Sequence, residues 1–133
     1  MQLSVAVRNG MLDTIETTIG ASAILKIRTG AAPANCAAAD SGTVLATVAL
    51  PADWMAAAAS GSKAKSGTWE DASADATGTA GHFRVYDSSG ATCHIQGTVT
   101  LTGGGGDMTV DNTSFQAGQV FTVTSFTLST GNA

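Results

Sequence analysis

Turn-forming residues cut this chain into short pieces from residue 29 onward, and that limits its fold more than any other feature. Thr29-Gly30, Asp40-Ser41-Gly42, Pro51, Asp87-Ser88-Ser89-Gly90, four glycines at 103–106 and Asp111-Asn112 each carry the chemistry of a reversal. The pieces between them are too short for ordinary helices and read as strands. Residues 23–28 place Ile24 and Lys26 on one face and Leu25 and Ile27 on the other. Residues 43–50 are apolar at nearly every position, which predicts a strand buried on both faces. Residues 82–86 alternate Phe83 and Val85 against His82, Arg84 and Tyr86, and residues 92–101 return from the turn at 87–90 as a hairpin partner. Residues 68–70, 108–110 and 120–128 complete the strands. The segments 30–42, 60–66 and 71–81 read as loops, the last too poor in bulk to pack a core. Residues 53–59 read as a short turn or helix, and the glycines at 103–106 as a flexible hairpin loop.

One segment breaks the pattern. Over residues 4–19, Val7, Met11, Leu12, Ile15 and Ile19 recur every three or four positions, the period of an amphipathic helix. Ser4 is placed to cap its start and Gly20 to end it. Asp13 and Glu16 fall on the polar side. The reading is a single domain spanning 1–133: an N-terminal helix at 1–20, then a mainly β body at 21–133. That body is a β-sandwich or jelly-roll-like barrel of about seven to eight short strands.

Large core formers are few, and aromatic residues make up only 5% of the chain. A thin core favours stabilisation by association, as a homo-oligomer or with a partner. Charged residues are only 12%, so the surface is Thr, Ser, Asn, Gly and Ala, which loses little on burial in an interface. The net charge is −4 and the six basic residues are scattered, which argues against nucleic-acid binding through phosphates. No apolar run approaches the ~18 residues of a membrane span. Met1-Gln2-Leu3-Ser4 lacks the charged and apolar regions of a secretory signal, so synthesis in a cytosol is expected, with exit by a route such as cell lysis.

No catalytic, cofactor or metal site assembles from the sequence, and an enzyme is not expected. Glu70 and Asp71 are adjacent, but a glycosidase needs two carboxylates held across a cleft. Asp107 and Asp111 lack the alternating acidic ligands of a calcium loop. The glycine run lacks the Lys-Ser/Thr ending of a phosphate loop. His82 and His94, on the two strands of one hairpin, are too few for zinc. Cys93 and His94 point to opposite faces of a strand, which argues against a dyad. Cys36 and Cys93 are read as buried free thiols or as a bridge, with cytosolic synthesis favouring thiols. Lys63 and Lys65 read as solvated loop residues. Trp54, Trp69 and Tyr86 are the only candidates for a carbohydrate-binding platform, weighed against simple core packing.

Three stretches, GASAILKIRTGAAPANCAAADSGTVLATVALPADWM, GTAGHFRVYDSSGATCHIQGTVT and DNTSFQAGQVFTVTSFTL, resemble small virion-associated structural proteins of tailed bacteriophages. The resemblance implies a virion component made in the host cytoplasm, with no catalytic residue to carry over. Within that class it points to a capsid decoration (cement) protein. Such a protein binds the major capsid protein or other virion proteins, with a homotrimer favoured, and it stabilises the head shell. The alternatives it leaves are a tail or neck component, or a carbohydrate-binding tail accessory module.

Overall fold

The computed structural model describes residues 1–131. The fold is mainly β with one N-terminal helix. Helix α1 (Val5–Ile19) starts where the Ser4 hydroxyl accepts from the Val7 amide at 3.3 Å. It ends at Gly20, whose φ of +87° lets its amide close back on the Glu16 carbonyl.

Nine strands follow among the described residues: β1 (Ile24–Thr29), β2 (Val44–Ala49), β3 (Ser62–Ala64), β4 (Glu70–Asp71), β5 (Gly78–Tyr86), β6 (Cys93–Leu101), β7 (Met108–Val110), β8 (Ser114–Phe115) and β9 (Phe121–Ser129). They form one curled sheet, a half-barrel, in the order β2-β1-β5-β6-β7-β9-β3. β4 pairs with β9 and β8 with β5. The curl brings β2 near β4. There the Thr47 amide donates to Asp71 Oδ2 at 3.0 Å, the Thr47 hydroxyl to Asp75 Oδ2 at 2.8 Å, and the Asp75 amide to the Leu45 carbonyl at 2.8 Å. Acidic side chains thus satisfy part of an edge strand that would otherwise offer free backbone groups.

The concave face holds the core. Trp69 packs between Trp54 (ring centroids 6.0 Å apart) and Phe126 (5.4 Å), and Phe126 meets Phe83 edge-on at 5.5 Å. Phe115 and Phe121 form a second pair at 4.9 Å. Leu25, Ile27, Val48, Val85, Met108 and Val123 fill the space between them. Such tilted and edge-on ring pairs add to the burial term itself.

Several segments differ from their sequence reading. β2 is buried on one face only, because Thr47 and Ala49 are exposed. Its apolar look has a local cause: Leu45 is the extra residue of a bulge opposite Ile27 and Arg28, so Leu45 and Ala46 are both buried. Residues 53–59 are extended rather than helical, with bridges from Met55 to Lys65 and from Ala59 to Ser62. Residues 60–66 are not a loop. Ser60 and Gly61, with φ of +53° and +76°, make a two-residue reversal into β3, which pairs with β9. Residues 71–81 also pack: β5 begins at Gly78, and Ala74 and Ala80 are buried in the core.

The glycine run at 103–106 is not a hairpin loop. β6 and β7 pair in parallel, Val99 with Met108 and Leu101 with Val110. Parallel neighbours ordinarily need a crossover of about a dozen residues. Here residues 102–107 suffice, because Gly103 and Gly105 take φ of +84° and +80°, which other residues rarely adopt.

Candidate functional site

β5 presents Phe83 and Val85 to the core, and His82, Arg84 and Tyr86 to the convex face of the sheet, yet all five are buried. The cover is the segment 30–42, which lies over β5 instead of standing free. Its anchor is Asp40. Arg84 from β5 and Arg28 from β1 both pair with this carboxylate, Arg28 at 2.6 Å, and the Tyr86 hydroxyl donates to it at 2.7 Å. Arg84 reaches on to the carbonyls of Asn35 (3.2 Å), Cys36 (2.9 Å) and Ala38 (3.2 Å). Arg28 reaches those of Ser41 and Gly42. His82 Nδ1 donates to the Gly30 carbonyl at 2.9 Å, and Gln96 to that of Pro33 at 2.6 Å. Each buried cation therefore meets a carboxylate or several carbonyls, the condition for keeping a charge out of water.

The electrostatics follow from this geometry. Burial pushes the Asp40 carboxyl up, but the Tyr86 hydroxyl and the two guanidinium groups outweigh it and hold it below the ordinary value. Burial, with the bond to Asp40, pushes Tyr86 up to about 12. Asp40 is engaged by three groups and Tyr86 is held protonated, while the Nε2 of His82 is buried without a partner. The chemistry of the cluster is that of a clasp.

A second cluster joins α1 to the sheet. Lys63 on β3 is 3% exposed and makes ion pairs with Asp13 at 2.8 Å and Glu16 at 3.0 Å. Its ammonium also donates to the Ala56 carbonyl at 2.9 Å. The reading of Lys63 as a solvated loop residue is thus overturned. Asp13 and Glu16 do not face water alone either: they accept from the amides of Ala58 and Met55, and Asn9 accepts from Gly61. Desolvation works against the Lys63 charge, but the two carboxylates prevail and raise its pKa.

That inward turn of the acidic face rotates apolar residues outward. Of the periodic positions, Leu12 and Ile19 are buried and Ile15 packs partly against the core. Val7 and Met11 remain 49% and 50% exposed, and Val5 nearby 48%. Met11, Thr14, Ile15, Thr18 and Ile19 line a shallow hollow of about 210 Å³ whose far wall is His94 of β6. Positions 7, 11, 14, 15 and 18 recur at three- and four-residue spacing, so they form one strip along the helix.

The other residues singled out in the sequence do not assemble. Cys93 touches Cys36 beneath the 30–42 segment, whereas His94 faces the hollow beside α1. His82 lies on β5 opposite Thr98, four positions along β6 from His94. Glu70 is exposed and accepts from the Thr122 hydroxyl, while Asp71 closes the seam to β2. Asp107 ties the amide and hydroxyl of Thr98, and Asp111 the amide of Thr122. Lys65 donates to the Gly67 carbonyl and lies over the Trp69 ring. Trp54, Trp69 and Tyr86 are at most 1% exposed, so none can serve a flat sugar-binding platform. Among the described residues no three His, Cys, Asp or Glu side chains converge as a metal site would require.

Sequence reasoning missed the clasp at Asp40 and the outward orientation of Val7 and Met11 on α1. The available signal for the clasp was scarcity: the chain has six basic residues, and two of them are arginines on convex positions of neighbouring strands. No family model, no curated protein and no solved structure matches the chain.

Proposed function

We propose that this chain is a structural protein of a tailed-phage virion, a decoration protein that docks on the head shell through the outward face of α1. The observation that carries the reading is the exposed strip of Val7 and Met11 running into the hollow beside His94. Apolar side chains grouped on one face of a helix, rimmed by Thr14 and Thr18, are the composition of an interface core with a polar border. The low charge of the surface serves the same end, because few ionic groups lose their water on docking. The resemblance of the sequence to small virion proteins supplies the partner class. The 30–42 segment is a poor candidate for an adaptable docking loop, since the Asp40 clasp holds it to β5. A trimer would multiply modest contacts into high avidity on a symmetric shell.

The test is co-sedimentation of the purified protein with undecorated shells. Deleting α1 is unsuitable, because it would also remove Leu12, Ile19 and the partners of Lys63. The double variant Val7→Glu, Met11→Glu is better, since both side chains are exposed. It should melt within about 2 °C of the parent, as surface changes do. It should lose shell binding at least ~10-fold, as burying unpaired carboxylates in an interface requires. Undiminished binding by the double variant contradicts docking through α1.

A further inference from the structure

Cys36 sits in the middle of the 30–42 segment, and Cys93 opens β6 opposite Tyr86, on the sheet face that the segment covers. Arg84 fixes the backbone here: its guanidinium donates to the Cys36 carbonyl at 2.9 Å, and its Nε donates to Cys93 Sγ at 3.2 Å. The two sulfurs are 2.9 Å apart. Bond formation would bring them to about 2.04 Å, a movement of less than about 1 Å. Both residues are half-buried, which leaves a small oxidant access.

We propose that Cys36 and Cys93 are a redox-formed cross-link that locks the 30–42 segment over β5, giving the protein a reduced, clasped form and an oxidised, covalently fastened one. This inference stands apart from the virion reading, since it rests on the sulfurs and on Arg84 alone. With glutathione disulfide as oxidant the step balances. The Cys36 thiolate attacks one glutathione sulfur, the glutathione S–S bond breaks, and one glutathione thiolate leaves. The Cys93 thiolate then attacks the Cys36 sulfur and expels the second glutathione thiolate. The two protons lost by the cysteines end on the two glutathiones, so two thiols are oxidised and one glutathione disulfide is reduced. Burial and the contact with Cys36 push Cys93 up to about 11, so its thiolate is scarce at neutral pH.

The experiment treats the purified full chain with glutathione disulfide, alkylates remaining thiols, and reads intact mass, a non-reducing peptide map and the melting temperature. The expected product is a monomer lighter by about 2 Da, with no alkylated thiol. A single cross-linked peptide pair should contain Cys36 and Cys93, and the melting temperature should rise by about 10 °C. Reductant should reverse all of these changes. Cys36→Ser and Cys93→Ser should each keep the reduced parent's melting temperature within a few degrees and show no rise on oxidation. Glutathione adducts persisting on both cysteines would overturn the proposal, as would chain-to-chain disulfides in place of the internal one. A cross-link that forms without raising the melting temperature would overturn the lock.

Discussion

Asp40 pairs with two buried guanidinium groups and accepts from one buried phenol through a single carboxylate. Removing it would leave Arg28 and Arg84 without their counter-charge in a site they cannot leave. Asp40→Ala should therefore cost about 3 kcal/mol, the lower end for breaking a buried pair because the carboxylate is itself partly exposed. Urea unfolding measures this, and an effect within ~0.5 kcal/mol, the usual range for a surface site, would contradict the clasp. Tyr86 gives a second test, because it is the chain's one tyrosine and phenolate absorbance reports on it alone. In the folded protein it should titrate near 12, and in urea near 10. Since the unfolded chain releases this proton first, Tyr86 makes the fold less stable as pH rises from 10 to 12. A folded-state midpoint near 10 would contradict its burial against Asp40. Neither feature was legible in the sequence. The convex positions of Arg84 and Tyr86 were readable from alternation, but Asp40 lies 44 and 46 residues away, and its approach is set by the path of a segment without periodicity.

Helix α1 is where its spacing places it, and Leu12, Ile15 and Ile19 pack inward as that spacing predicts, but Val7 and Met11 do not. Its limits followed from Ser4, Gly20 and a three-to-four spacing, all local properties. Its orientation depended on Lys63, which local sequence (Ser-Gly-Ser-Lys-Ala-Lys-Ser) marks as a solvated loop. β3 contains no apolar alternation, and it is a strand because β9 offers it an edge to pair with. Once Lys63 is buried there, it draws Asp13 and Glu16 inward, and the apolar positions at the start of the helix turn out to solvent. Lys63→Met keeps the stem but removes the charge, leaving two carboxylates side by side. The loss should be about 2 kcal/mol, discounted because Asp13 is 48% exposed and can recover water. Adding Glu16→Gln should restore part of it by relieving the repulsion. A double-mutant cycle on these two positions checks the coupling, and strict additivity would contradict it.

At the scale of the molecule, fold class was legible because turn chemistry and alternation recur along the chain, and each is a local signal. Sheet closure was not. The parallel β6–β7 pairing, the seam from β2 to Asp71 and Asp75, and the cover over β5 are all non-local contacts. The result is a half-barrel whose convex side is covered at β5, whose tryptophans and phenylalanines are committed to the core, and whose helix keeps an apolar strip turned outward. The exposed strip of Val7 and Met11 is the surface that the proposed docking uses. Imaging of phage particles purified from cells that make the chain tests the proposed role most directly. Decoration through α1 requires copies in the hundreds, placed on symmetric positions of the head shell with the Val7 and Met11 face of α1 against it. A few copies on the tail or neck, copies on the shell with that face turned to solvent, or absence from particles would contradict it.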